Sequence, residues 1–242
     1  MTKDLKKPWK PVRKAGELAE SRLINAFLDG KFPVNSTLPA ERELAELIGI
    51  TRPTLREALQ RLERDGWIEI QHGKPTRVCD YRTEGNLGVS IALAKYQNPL
   101  MQDFVTDLFS VRVLLAPAYF KSAVLLAPEK IVEFLNTNKV HPDSAEHFAN
   151  FDWKLHWQLT LFSGNLFFTH FMNSVRELYE MVGVPYFSHN QTRTHSRKFY
   201  DELLVTAEKR DAHQASVLAS KVMSESAGLW VSIMKKERET EK

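Results

Sequence analysis

Thr51, Arg52, Thr54 and Arg56 open the run TRPTLREALQRLERDG, and His72, Gly73 and Lys74 follow in IQHGKPTRV. Two arginines four residues apart share one face of a helix. The planar guanidinium fork matches the two acceptors on the guanine edge or the oxygens of a phosphate. Threonine hydroxyls beside them suit the same partners. A glycine flanked by His72 and Lys74 lets a cationic turn approach a groove closely. The chemistry these residue types support is recognition of a polyanion.

The elements that must position them are legible. A first helix is predicted from Ala15 to about Asp29, with Leu23, Ile24 and Phe27 facing inward. GKFPVNST ends it with turn formers. LPAERELAELIGI reads as a second helix, with Pro39 in its first turn, Glu41 and Glu43 at the positive end of the dipole, and Leu44, Leu47 and Ile48 buried. Thr51 is a suitable N-cap for a third helix whose seam is Leu55, Leu59 and Leu62. Gly66 fits its C-terminal end. WIEI and TRV read as strands around the turn QHGKP. Helix, turn, helix and hairpin in this order make a winged helix-turn-helix, whose recognition helix enters the major groove by its N-terminal residues. Arg52 and Arg56 are placed there, and His72-Gly73-Lys74 form a wing tip at the adjacent minor groove. Arg42, on the helix that crosses the backbone in such folds, is a candidate phosphate ligand. Arg61 and Arg64 read as a solvated face.

Composition agrees. Of 33 Lys+Arg and 30 Asp+Glu, residues 1–78 hold 15 and 11, which leaves the remainder near neutral. A basic front half suits a nucleic-acid partner for that half alone. The lead MTKDLKKPWKPVRK reads as a flexible terminus or a basic arm on the DNA backbone. Cys79 is the one cysteine, so no intrachain disulfide forms and a reducing cytoplasm is expected. Neither a secretory signal nor an 18-residue apolar run is evident, so no membrane partner is expected.

The expected fold class is mostly α: a winged helix-turn-helix over 1–78, a linker over 79–100 with a short helix in LGVSIALAKY, and an all-α helical bundle over 101–242. Helices are expected at about 101–126, 128–138, 144–163, 165–183, 193–210 and 211–237. Pro117 is expected to kink or break the first of these. In FANFDWKLHWQLTLF, Asp152 shares a stripe with Phe148, Leu155, Leu159 and Phe162 and so points inward, with His156 one turn on. A buried carboxylate needs a partner. A structural Asp–His pair, half of a metal site and an acid/base pair all fit. On the last helix, Ala215, Leu218, Val222, Glu225, Leu229 and Ile233 form a stripe that Glu225 interrupts with a charge. Ser226 and Trp230 share the adjacent face, with Lys235 beyond. A bundle helix with one satisfied polar residue and a ligand-lining helix both fit. No serine elbow, phosphate-binding glycine loop or pair of catalytic carboxylates is present, so no enzyme activity is expected.

Leu38 to Val78, LPAERELAELIGITRPTLREALQRLERDGWIEIQHGKPTRV, resembles the DNA-binding domain of the GntR family of transcription factors. The likeness is strongest to members that regulate fatty-acid metabolism. It continues through FSVR near Arg112, SGN at Ser163–Asn165, FYDEL from Phe199 and SESAGLW from Ser224. The resemblance implies operator contacts from Arg42, Thr51, Arg52, Thr54, Arg56, His72 and Gly73, beside which the turn places Lys74. It implies a homodimer on a palindromic operator, released by long-chain fatty acyl-CoA. Such a protein represses fatty-acid degradation genes and activates unsaturated fatty-acid synthesis genes. Glu225, Ser226, Trp230 and Lys235 match positions that line the acyl-CoA site. Some family members hold a metal with the counterparts of Asp152 and His156 plus two histidines. Tyr200 and Val222 stand at those two positions, so no metal is expected. The alternative is a GntR-type regulator that senses a metal-bound small carboxylate.

Overall fold

The computed structural model describes residues 15–96, 101–138, 140 and 143–240. The basic lead 1–14 and the last residues of the expected linker lie outside the described residues. Two compact units divide the chain, the first ending at Gln97 and the second beginning at Asn98.

In the first unit, α1 (Ala15–Leu28), α2 (Glu41–Ile48) and α3 (Arg52–Asp65) precede a hairpin of β1 (Ile68–Glu69) and β2 (Arg77–Val78). The strands pair antiparallel, Ile68 opposite Val78 and Glu69 opposite Arg77. Each strand is shorter than the runs WIEI and TRV. The segment before α2 adds a third edge, where Thr37 bridges Arg77 and Leu38 donates to the Thr76 carbonyl at 2.8 Å. That pairing keeps Leu38 and Pro39 extended, so α2 starts at Glu41, later than Pro39 suggests. Ala19, Leu23, Ile24, Leu44, Ile48, Leu55, Leu59, Leu62 and Trp67 make the core. Leu47 is 72% exposed, and Ala45 fills the buried position instead.

The stretch read as a linker is largely ordered. α4 (Tyr81–Glu84) and α5 (Leu87–Tyr96) follow β2, with Val89 and Ala92 inside the first core and the Tyr81 ring tilted against Trp67 with centroids 5.2 Å apart. The compact first unit thus extends beyond Val78. Its small residues, in LGVSIALAK, hide amphipathicity from periodicity while packing closely.

The second unit is helical throughout its described residues: α6 (Met101–Leu126), α7 (Pro128–Thr137), α8 (Ala145–Phe162), α9 (Leu166–Ser174), α10 (Arg176–Phe187), α11 (Asn190–Glu208) and α12 (Ala212–Thr240). α6 packs along α12 and against α8. It continues through Pro117, because Ala116, Tyr119 and Phe120 are buried around that residue. Its stretch Val105–Leu126 is long and apolar enough to cross a membrane by composition, which corrects the reading that no such run exists. In this fold one face of it is bundle core. The single helix expected over 165–183 is two helices that break at Val175 (φ −95°, ψ 7°).

The end of α3 offers a stability test. Gly66 adopts φ 90°, and a Cβ there would lie 2.5 Å from the Glu84 carbonyl oxygen. Gly49, at φ 74°, closes α2 with open space around it. Gly66→Ala therefore carries both the left-handed cost and a backbone clash, about 2–4 kcal/mol. Gly49→Ala carries only the first, about 1 kcal/mol. Urea denaturation of the two variants should rank them in that order; equal losses would refute the close approach at Gly66.

Candidate nucleic-acid interface and effector cavity

α3 turns its leucine seam into the core, which leaves Arg52 and Arg56 on the outer face with side chains 56% and 60% exposed. Thr51 caps the helix: its Oγ1 accepts from the Thr54 amide at 3.4 Å and lies 2.9 Å from the Thr54 hydroxyl. Arg56 Nε donates to Glu41 Oε2 at 2.6 Å, and Arg52 Nη2 lies 4.0 Å from the same oxygen. One carboxylate from the first turn of α2 thus faces two guanidinium groups, and the site keeps excess positive charge. Arg42 is exposed on α2. His72, Gly73 and Lys74 sit together on the exposed turn that joins the strands, closed by the Lys74 amide donating to the Gln71 carbonyl at 3.2 Å. Arg61 and Arg64 pair within the fold, with Glu20 and Asp65.

Inside the second unit, Asp152 is buried and heavily bonded. Tyr200 donates to its Oδ1 at 2.8 Å and Tyr179 donates to its Oδ2. Arg112 Nη2 is 3.9 Å from Oδ2 and 3.3 Å from His156 Nε2. His156 Nδ1 is 2.6 Å from the Tyr119 hydroxyl. Arginine only donates, so His156 Nε2 accepts and the ring proton sits on Nδ1, facing Tyr119. Burial lowers His156 to about 4, which keeps the ring neutral. Burial and the adjacent Asp152 carboxylate push the Tyr179 and Tyr200 phenols well above their ordinary range. Burial works against the Arg112 charge, and Tyr179 and Asp152 outweigh it. Arg112 also lies over the rings of Phe109 and Tyr179.

A metal shell does not fit these donors. Tyr200 donates its hydroxyl hydrogen bond to Asp152, Val222 has no ligand atom, and the Arg112 guanidinium already faces both Asp152 and His156. Among the described residues no three His, Cys, Asp or Glu side chains converge.

Beside this network is a cavity of about 30 Å³, lined by Phe109, Val182, Tyr186, Phe199 and Val222, with Arg112, Asp152 and Ser226 as its polar wall. Of the residues singled out on the last helix, Ser226 lies in this wall, while Arg112 and Tyr179 were given no part in a pocket by sequence reasoning. Trp230 is buried behind the cavity, its ring centroid 6.5 Å from that of Tyr186. Glu225 does not enter the bundle. It lies in an open groove between α11 and α12 and meets His195 Nε2 at 2.9 Å. The buried stripe of α12 is Ala215, Leu218, Ala219, Val222, Met223, Ser226, Trp230 and Ile233. From Ala215 the buried residues step 4-3-4-4-3 through Ala219, Val222, Ser226, Trp230 and Ile233, whereas the stripe read from the sequence steps 3-4-3-4-4 and so falls on Glu225 instead of Ser226. Lys235 is exposed.

The buried histidine predicts an acid sensitivity. Its folded-state value lies below the unfolded one, so the unfolded chain takes up the proton first and stability falls as pH drops from about 6.5 toward about 4. Between pH 7.5 and 5 this should remove about 2 kcal/mol. Urea titrations should find that difference in the native chain and a flatter pH dependence in His156→Gln. Equal pH dependence in both would refute the buried neutral ring.

Comparisons with known proteins agree with this geometry. Residues 16–78 match the gntR family of bacterial regulatory proteins, and residues 80–240 match the FadR C-terminal domain. The chain is 39% identical over 215 residues to the fatty acid metabolism regulator protein of Shewanella sp. strain MR-7, which covers 89% of each chain. The protein of that name from Shewanella baltica strain OS155 is 39% identical over 217 residues, 89% of this chain and 90% of its own. Among solved structures, Lar, which controls the expression of the Listeria monocytogenes agr system, shares the fold at TM-score 0.58 and 14% identity, over 93% of this chain and 99% of that one. These relatives are named as regulators. A winged helix that presents two outward arginines, joined to a helical module matched over nearly all its length, makes this chain a transcriptional regulator of the GntR family, built with a FadR C-terminal domain.

Proposed function

We propose that the chain regulates fatty-acid metabolism genes by binding a palindromic operator as a homodimer and leaving it when long-chain acyl-CoA enters the second unit. As a cytoplasmic regulator it represses fatty-acid degradation and activates unsaturated fatty-acid synthesis. The carrying observation is the cavity beside Ser226, within a module matched to the FadR C-terminal domain in a chain 39% identical to fatty acid metabolism regulators.

On the DNA side, Arg52 and Arg56 read base edges or phosphates from the start of α3. Thr51 and Thr54 use the lone pairs and protons their mutual bond leaves open. Arg42 holds a phosphate, and His72, Gly73 and Lys74 enter the minor groove. One recognition helix spans few base pairs, which favours two copies on symmetric half-sites.

On the effector side, the cavity has room for one or two waters, far less than a palmitoyl chain needs. Ligand entry must therefore part the packed side chains of α6, α10, α11 and α12. That requirement gives the ligand a conformation to select, and hence a means of altering DNA affinity. Ser226 and Trp230 line the opened pocket. Glu225 and Lys235, both outward on α12, meet the polar CoA end.

Arg52→Ala and Arg56→Ala should each cost about 1–3 kcal/mol of operator affinity with little change in stability. Gel-shift titrations read this directly, and unchanged binding in both variants would sink the recognition-helix assignment.

Effector binding should grow with chain length. Each fully buried methylene contributes up to about 0.8 kcal/mol, so palmitoyl-CoA exceeds octanoyl-CoA by at most about 6 kcal/mol. Opening the cavity and ordering the chain reduce this to a preference of roughly 100-fold or more. Linkage requires operator DNA to weaken acyl-CoA binding by the factor that acyl-CoA weakens operator binding. Calorimetry with both ligands, with and without operator, checks each part. Equal affinity for the two chain lengths, or indifference to DNA, would refute the acyl-CoA reading.

A further inference from the structure

Arg77 sits at the start of β2, at the base of the wing and away from its tip. Four of its five guanidinium N–H groups are engaged within the first unit. Nε donates to Glu69 Oε2 on β1 at 2.8 Å. Nη1 donates to Asn35 Oδ1 at 3.1 Å and to Glu84 Oε1 at 3.1 Å, and Nη2 donates to Glu84 Oε2 at 2.6 Å. One side chain thus ties together four segments: the loop before α2, both strands of the hairpin, and α4.

The partners are themselves fixed. Asn35 holds a left-handed backbone at φ 64°, a conformation asparagine tolerates better than most residues, and its amide donates to the Val78 carbonyl at 2.9 Å. Glu84 also accepts from the Asp80 amide at 2.8 Å, so its carboxylate is held from two sides. The Arg77 bond, followed by the Asp80 amide, holds Glu84 down at about 2, so the carboxylate remains charged throughout the neutral range.

The charge balance separates Arg77 from the arginines of α3. Arg52 and Arg56 share one carboxylate, which leaves net positive charge facing outward. Arg77 faces two carboxylates, which leaves net negative charge and no free donor pair for a phosphate. Meanwhile the hairpin it grips has only two residues per strand, too few to fix the direction of the turn beyond it. The wing tip needs an anchor at its base, and Arg77 supplies one.

We infer that Arg77 is a positioning residue for DNA binding: by clamping Asn35, Glu69 and Glu84 it aims the wing tip, His72 to Lys74, at DNA without touching DNA itself. The inference rests on the reading that the wing tip meets DNA.

The test uses the full chain and a palindromic duplex selected from a random pool by the native protein. Operator affinity and its salt slope are measured for Arg77→Gln in the native background and in a His72→Ala/Lys74→Ala background that lacks the wing-tip side chains. Arg77→Gln should weaken binding roughly ten-fold with the native wing, the size of one lost charge-assisted hydrogen bond. In the tip-less background it should change neither affinity nor salt slope, because there is no longer a tip to aim. Glu84→Gln, which loosens the clamp and keeps the cation, should repeat the pattern in smaller measure. A further loss in the tip-less background would overturn the inference. Accompanied by a smaller salt slope, it would mean that Arg77 contacts a phosphate directly; without one, that the substitution disturbs the fold as a whole. Tighter binding by Glu84→Gln would likewise overturn it, since a freed Arg77 would then be a DNA ligand. Native affinity in the tip-less variant itself would refute the wing reading and the inference together.

Discussion

A charge taken into a helical bundle loses several kcal/mol of hydration, and it stays only where partners replace the water. The second unit obeys that constraint at Asp152 and Arg112. Tyr179 and Tyr200 donate hydrogen bonds to the carboxylate, while His156 accepts one from the Arg112 guanidinium and donates one to the Tyr119 hydroxyl. These side chains come from α6, α8, α10 and α11. Four helices are thereby held in one relative arrangement by bonds that tolerate little sliding. An apolar interior alone would permit many near-equivalent packings.

The same network defines what the adjoining cavity can do. Arg112 and Asp152 form part of its wall, so a ligand in that space lies against charges whose partners are already assigned. An apolar chain cannot replace those partners. Room for one has to come from apolar lining such as Val182, Phe199, Val222 and Met223, whose dispersion contacts can be rearranged.

Much of this was readable from residue order. The leucine seam of α3 fixed which arginines face outward, and the strand–turn–strand after Gly66 placed the wing tip. Asp152 was seen to point inward because its neighbours at helical spacing are apolar. Arg112 and Tyr179 were not foreseen as its partners, since they are 40 and 27 residues away and only tertiary packing brings them together, while Tyr200 was placed near it only by the resemblance. Glu225 was misplaced for a related reason: over the length of α12 a small error in helical phase moves a residue from core to groove. The short helix in LGVSIALAKY was expected but assigned to a linker, because its apolar residues show no clear face that periodicity could turn toward the core. Arg77 drew no notice, because its carboxylate partners sit on a strand and a short helix that no single pattern joins.

Arginine stands in three different charge settings at three places in the chain. At the start of α3, two guanidinium groups face the single carboxylate of Glu41, and the surplus positive charge is left to water or to a polyanion. At the base of the wing, one guanidinium faces Glu69 and Glu84, and the surplus is negative, which repels phosphate and leaves the cation a mechanical role. In the bundle, Arg112 and Asp152 balance one to one, as burial demands. Identity of residue alone does not distinguish these cases, and neither does exposure, since Arg77 is only partly buried. At these three places the count of carboxylates within reach differs, and with it the surplus charge that each guanidinium leaves to its surroundings.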